Sequence, residues 1–185
     1  MTPCPPSRPL PPAPMASSPL PAGWRCRPVS AGDAASVAAL ERMAMPAGKV
    51  TGSTAIWQRL LRLSCTQGLL IEDGAGNCRA YCIWQVVAEQ VELLSIAVHP
   101  AFSRKGLGSF LLDEMAAICR AQGAGIIFLE VAENNTPARQ FYEKKAFVVI
   151  GRRPRYYRLS NESFKDAILM SLSLAGDMVN STKES

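Results

Sequence analysis

Apolar and polar positions change period several times along this chain, and the changes mark out its elements. Trp24 to Val29 reads as a short strand, after which Ser30 or Asp33 can cap a helix carrying Ala34, Val37, Leu40 and Met43. A loop at Met45-Pro46-Ala47-Gly48 leads to a helix of about Ser53 to Leu63, with Ile56, Leu60 and Leu63 on one stripe. Gly68-Leu69-Leu70-Ile71 starts a strand. The Asp73-to-Asn77 turn then joins it to a second strand, Cys78 to Val87, as a hairpin, and a third strand returns over Val91 to Val98. Pro100 ends that run. The next helix has Leu107, Leu111, Met115, Ile118 and Cys119 at helical spacing and closes at Gly123 and Gly125.

Gly125 to Val131 is a compact apolar strand. Strand, helix, strand in that order implies a parallel pair joined by a right-handed crossover. A helix of about Thr136 to Lys145 follows, with Pro137 in its first turn, where the missing N–H costs nothing. Phe147 to Ile150 and Ala167 to Leu174 are the last two strands, separated by a basic segment. The expected fold is a mixed α/β (α+β) domain: a mostly antiparallel sheet of six or seven strands with a central parallel pair, flanked by about four helices.

Composition sets the limits of this picture. A chain of 185 residues can bury one good core, so residues 24–174 are expected to form one domain. Nine of the fourteen prolines fall in the first 21 residues, which predicts a disordered arm over residues 1–23, with Met15 a second candidate start, and residues 175–185 are expected to be a flexible tail. Every apolar run is interrupted short of the roughly 20 residues a membrane-spanning helix needs. The arm lacks the apolar core of a secretion signal, and the chain is therefore expected in the cytoplasm, away from membranes, with reduced cysteines. No C-x-x-C pair occurs and His99 is the single histidine, so no metal site is expected. Net charge is +5, with six basic residues and no acid between Lys144 and Arg158. That run is either a solvated face or a lure for anions. No RNA-binding motif accompanies it, so direct nucleic-acid binding is not expected.

Three features carry candidate chemistry. Arg104-Lys105-Gly106-Leu107-Gly108-Ser109 is a glycine-bearing turn opening a helix, where backbone N–H groups and the helix dipole favour an anion. The same turn can also serve simply to start a helix close to a sheet. It lacks the G-K-S/T of a nucleotide-triphosphate loop and the dinucleotide fingerprint. Glu130 interrupts an apolar strand near its end, where a carboxylate is costly unless it reaches solvent or performs a task. Tyr142, beside Phe141, is either a core aromatic or a proton donor. Together these place an anion cradle, a carboxylate and a phenol at one end of adjacent parallel strands.

The stretches VELLSIAVHP (residues 91–100), SRKGLG (103–108), LEVAENN (129–135) and QFYEKKAF (140–147) resemble the GCN5-related N-acetyltransferases, over about Trp24 to Leu174. Within that family, RRPRYY followed by KDAILMSL resembles the branch that acetylates the N-terminal alanine of a small-subunit ribosomal protein. The resemblance implies acetyl-coenzyme A as co-substrate and a protein N-terminus as acceptor. It further implies that the backbone of Ile96, Ala97 and Val98 meets the pantetheine arm, that Arg104 to Ser109 hold the pyrophosphate, and that Asn135 hydrogen-bonds to the cofactor. Glu130 matches the general base and Tyr142 the general acid. Two positions depart from the family: Ser103, usually Gln or Arg, which is expected to weaken cofactor affinity, and Ala146, usually Gly in the turn after the helix, which is expected to shift the next strand slightly. Two other functions remain open to the sequence: acetylation of a small-molecule amine, and non-catalytic coenzyme A binding.

Overall fold

The computed structural model describes residues 20–45, 52–158 and 164–174. The expected 1–23 arm therefore lies outside the described residues up to residue 19, and the 175–185 tail does so entirely, as do Pro46, Ala47 and Gly48. Leu20 already packs against the core.

Among the described residues, seven strands form one sheet in the order β1-β2-β3-β4-β5-β7-β6: β1 (Arg25–Pro28), β2 (Thr66–Glu72), β3 (Cys78–Val87), β4 (Gln90–Val98), β5 (Ile126–Ala132), β6 (Val148–Arg158) and β7 (Phe164–Ser173). All neighbours are antiparallel except β4 and β5, the expected parallel pair. Among the described residues the α-helices are α1 (Ala34–Ala44), α2 (Thr54–Leu60), α3 (Leu107–Ala121) and α4 (Thr136–Lys144).

The middle of β3, Ala80 to Trp84, is apolar and buried because both its faces are covered. Ala80, Cys82 and Trp84 join the α3-side cluster, and Tyr81 and Ile83 join α1 and α2 on the other side. In α3, Leu111, Leu112, Met115 and Ile118 are buried against the sheet. Each such side chain contributes roughly 1.5–3 kcal/mol, which outweighs the roughly 0.5–1 kcal/mol that Gly108 costs in the first turn. Packing, not local propensity, lets this helix begin with glycine. Cys82 and Cys119 are fully buried core residues, as expected, and Cys82 lies 3.5 Å from the Met115 sulfur.

Three expectations need correction. The second helix is shorter than its apolar pattern suggests, and Ile56 and Leu63 of the expected inward stripe are 46% and 47% exposed. Trp57 is the buried anchor instead, because its indole Nε1 donates to the fully buried Glu41 carboxylate at 3.0 Å, an acceptor it shares with the Gly52 N–H at 3.1 Å. Secondly, the basic segment does not separate two short strands; it is part of β6, paired with β7 out to Arg158. Thirdly, this run is not without acids in space. Lys145 pairs with Asp113 at 2.7 Å, Arg152 with Glu133 and Asp166 at 2.8 Å each, and Arg153 with Glu130 at 2.7 Å.

Helix α4 ends in a Schellman motif: Ala146 N–H donates to Glu143 O and Phe147 N–H to Tyr142 O, each at 3.0 Å. The motif requires a left-handed residue, and Ala146 adopts φ 62° where the corresponding residue after α3, Gly123, has φ 87°. At the other edge of the sheet, Glu72 is buried beneath Arg25 and Arg27 of β1, and Arg27 also pairs with Asp33 at 2.8 Å.

Two predictions follow from these local structures. Because the Ala146 methyl is exposed and strained, Ala146→Gly should raise stability by roughly 0.5–1 kcal/mol, read as a higher urea midpoint at unchanged slope. Hydrogen bonds from Arg27 hold Asp33 down at about 2, from its ordinary 3.8, and those from Arg25 and then Arg27 hold Glu72 below its ordinary 4.5. Both carboxylates therefore stabilise the fold fully above about pH 4.5, and that contribution fades as pH falls through their folded values. Thermal unfolding of Arg27→Met should start lower at pH 7 and lose less on acidification than the native chain.

Candidate active site

The site forms where two parallel strands separate. Paired residues run from Gln90↔Ile126 to Leu93↔Leu129 and go no further. Leu94 is the extra residue of a β-bulge, since Ile83 pairs with Ser95 and Trp84 with Leu93. A bulge bends its strand and switches which residues face each side. Leu93 and Ile96 accordingly pack towards α3, whereas Ser95 turns to the α1 side and hydrogen-bonds with the Tyr81 hydroxyl at 3.0 Å.

Two cavities occupy the gap. The larger, about 640 Å³, is lined by Ile96, Ala97 and Val98 of β4, by Ser103, Arg104, Gly106, Gly108 and Ser109 of the turn, and by Asn135, Pro137, Ala138, Phe141 and Tyr142. The smaller, about 140 Å³, adjoins it through Met45, Ile96, Asn135, Ala138 and Tyr142 and continues to Ser95 and Glu130. Glu130 also borders a third hollow of about 290 Å³, lined by Gln85, Glu92, Phe128 and Leu169 among others.

Each wall has a local cause. Arg104 and Gly106 both have left-handed backbones, φ 60° and 85°, and Gly106 is the N-cap of the 15-residue α3. Such a turn curls successive N–H groups towards one concavity, beside the positive end of the helix dipole. A methyl group on Gly108 would meet Val98 and Phe141 at 3.6 Å, both of which border the larger cavity. Asn135 caps α4, its side chain accepting from Ala138 N–H at 3.3 Å, and lines both cavities. Tyr142 is 8% exposed, held between Phe141 and Phe147 at ring separations of 5.2 and 5.6 Å. The Schellman turn that brings Phe147 back over the helix thus also fixes the phenol.

Of the expected cofactor residues, Lys105 and Leu107 do not line the cleft. Leu107 is buried in the core, and the Lys105 ammonium lies 5.2 Å from the centre of the Phe102 ring. Only their backbones belong to the turn. Conversely, the sequence offered no sign of Ala138 at the junction of the cavities, nor of the ion pair between Glu130 and Arg153. Pairings between strands distant in the chain leave no spacing signature. Among the described residues no cluster of His, Cys, Asp and Glu suits a metal ion, and no helix is long and apolar enough to cross a membrane.

The gap between the splayed parallel strands is bounded by a glycine-bearing helix start, a carboxylate and a phenol. The model of the acetyltransferase (GNAT) family matches residues 37–147, and the chain belongs to that family. It is an acyltransferase, with acetyl-coenzyme A as co-substrate. The [ribosomal protein bS18]-alanine N-acetyltransferase of Escherichia coli K12 is 31% identical over 132 residues, 71% of this chain and 84% of that one. The protein of the same description from Haemophilus ducreyi is 33% identical over 98 residues, 53% of this chain and 68% of that one. The crystal structure of the ribosomal-protein-S18-alanine N-acetyltransferase from Escherichia coli matches with a TM-score of 0.74 at 25% identity, over 85% of this chain and 99% of that one.

Gly108→Ala separates folding from ligand binding. The methyl makes only ordinary contacts and replaces a helical glycine, so the apo protein should gain roughly 0.5–1 kcal/mol. Filling the cradle should weaken acetyl-coenzyme A binding about tenfold, a loss of about 1.4 kcal/mol. Thermal unfolding and titration calorimetry would register these opposite signs.

Proposed function

We propose that this chain transfers the acetyl group of acetyl-coenzyme A to a protein N-terminal amine, that of the N-terminal alanine of a small-subunit ribosomal protein, in the cytoplasm. The observation that carries the reading is that Glu130 and Tyr142 line one cavity, which adjoins the cleft bounded by the glycine turn. The names of the relatives from Escherichia coli and Haemophilus ducreyi support the acceptor.

In this reading the turn from Arg104 to Ser109 holds the pyrophosphate through backbone N–H groups, the β4 edge at Ile96, Ala97 and Val98 meets the pantetheine arm, and Asn135 adds a hydrogen bond. An ammonium has no lone pair to attack with, so its proton passes to the Glu130 carboxylate, directly or through a water. The amine nitrogen then attacks the thioester carbon. Charge gathers on the thioester oxygen, and a β4 N–H near Val98 donates to it. As the carbon–sulfur bond breaks, its electron pair leaves with sulfur and the Tyr142 hydroxyl supplies a proton; the attacking nitrogen sheds its second proton to solvent, which restores the phenol, and Glu130 releases the first.

No cysteine nucleophile is required. Burial pushes the thiols of Cys26, Cys78 and Cys119 up to about 11, 12 and 12, and that of Cys82 well above its ordinary value, which disfavours the reactive thiolate. In this reading transfer is direct, within a ternary complex, and mass spectrometry of the protein with acetyl-coenzyme A alone should find no acetyl-enzyme.

Release of coenzyme A in the presence of a short peptide beginning with alanine tests the reading. Glu130→Gln and Tyr142→Phe should each lower kcat by about 10² to 10⁴ while leaving acetyl-coenzyme A binding intact. If the native chain ignores the peptide but acetylates spermidine or an aminoglycoside, the acceptor assignment is wrong.

A further inference from the structure

Glu130 leaves β5 on the face of the sheet opposite α3, since its neighbours Leu129 and Val131 join the α3-side core. On the same strand register it pairs with Leu169 of β7, Leu169 pairs with Gly151 of β6, and Ala167 pairs with Arg153. Residues two apart on a strand share a face, so all five project from one side of the sheet. The Arg153 side chain therefore starts on the edge strand and crosses β7 to place Nη1 2.7 Å from Glu130 Oε1. The register sets Ala167 of β7, with its single methyl, directly opposite Arg153. Its neighbour Arg152 has the opposite parity and pairs with Glu133 and Asp166 instead.

We propose that Arg153 is a positioning residue for acetyl transfer, holding the Glu130 carboxylate in the rotamer that faces the cavity shared with Tyr142 and tying it to the β6–β7 hairpin. The inference rests on the reading of Glu130 as the base. A glutamate has three side-chain torsions to fix, and the wide hollow on its outer side, where Glu92 also lies, offers it other orientations. One charge-assisted contact at Oε1 restricts these and leaves Oε2 to receive the proton. The Arg153 side chain is 53% exposed, so the pair adds little to stability. Its consequence is geometric, and rates respond steeply to the placement of a reacting group.

The experiment measures kcat and KM for both substrates with an alanine-first peptide, using the native chain, Arg153→Gln, Arg153→Lys, Glu130→Gln and the Glu130→Gln/Arg153→Gln double variant, with Arg152→Gln as a charge-matched control. Arg153→Gln should lower kcat by roughly tenfold to a hundredfold, with KM for acetyl-coenzyme A and thermal stability unchanged. Lysine should restore much of the rate, and Arg152→Gln should behave as native. Because Arg153 acts through Glu130, the double variant should be no slower than Glu130→Gln alone. Native-like kcat in Arg153→Gln, or a double variant slower by the product of the two single losses, overturns the positioning role. Full activity in Glu130→Gln instead removes the base reading itself, whatever Arg153 does.

Discussion

The parting of β4 and β5 beyond Leu93↔Leu129 is the constraint from which the rest of the site follows. Buried backbone N–H and C=O groups rarely go unpaired in a sheet interior, so a central parallel pair that stops halfway leaves polar main chain facing a gap. The bulge at Leu94 bends β4 at the same level, and α3 and α4 close the gap from one side. What remains is a cleft with one wall of strand backbone, suited to a ligand that makes hydrogen bonds along its length. Acetyl-coenzyme A, with its amide-bearing arm, is such a ligand.

Helix termini supply the remaining polar groups. The start of α3 brings N–H donors to the cleft mouth through a left-handed turn at Arg104 and Gly106, and burial along the rest of that helix offsets the cost of its glycines. The start of α4 brings Asn135, and its end brings Phe147 back against Tyr142. Both ends of this nine-residue helix therefore contribute to one small cavity. The strain at Ala146 is tolerated because the two Schellman hydrogen bonds and the Tyr142–Phe147 contact all depend on that conformation.

Charge is organised across strands. The basic run near the end of the chain has acidic partners from α3, β5, β7 and the loop before α4, so much of its apparent excess is locally balanced. Exposed pairs of this kind contribute little to stability. Their importance lies in where they leave the side chains, and Glu130 is the clearest case.

The sequence by itself determined the order and kind of the elements and the location of the cleft-forming turn. Hydrophobic period, Pro100, Pro137 and the glycines at 106, 108 and 123 are local signals, and local backbone preference is what they report. The same reasoning located Glu130, because a carboxylate in an apolar strand is conspicuous, and the family motifs singled out Tyr142. Only the tertiary structure decided which apolar residues of α2 point inward, since burial of Trp57 depends on a carboxylate from α1 that no spacing connects to it. Only the fold could show that the basic run continues a strand, or that Arg153 reaches Glu130 across β7. Such contacts depend on sheet register, which is a property of strand pairing and is written in no single segment of the chain.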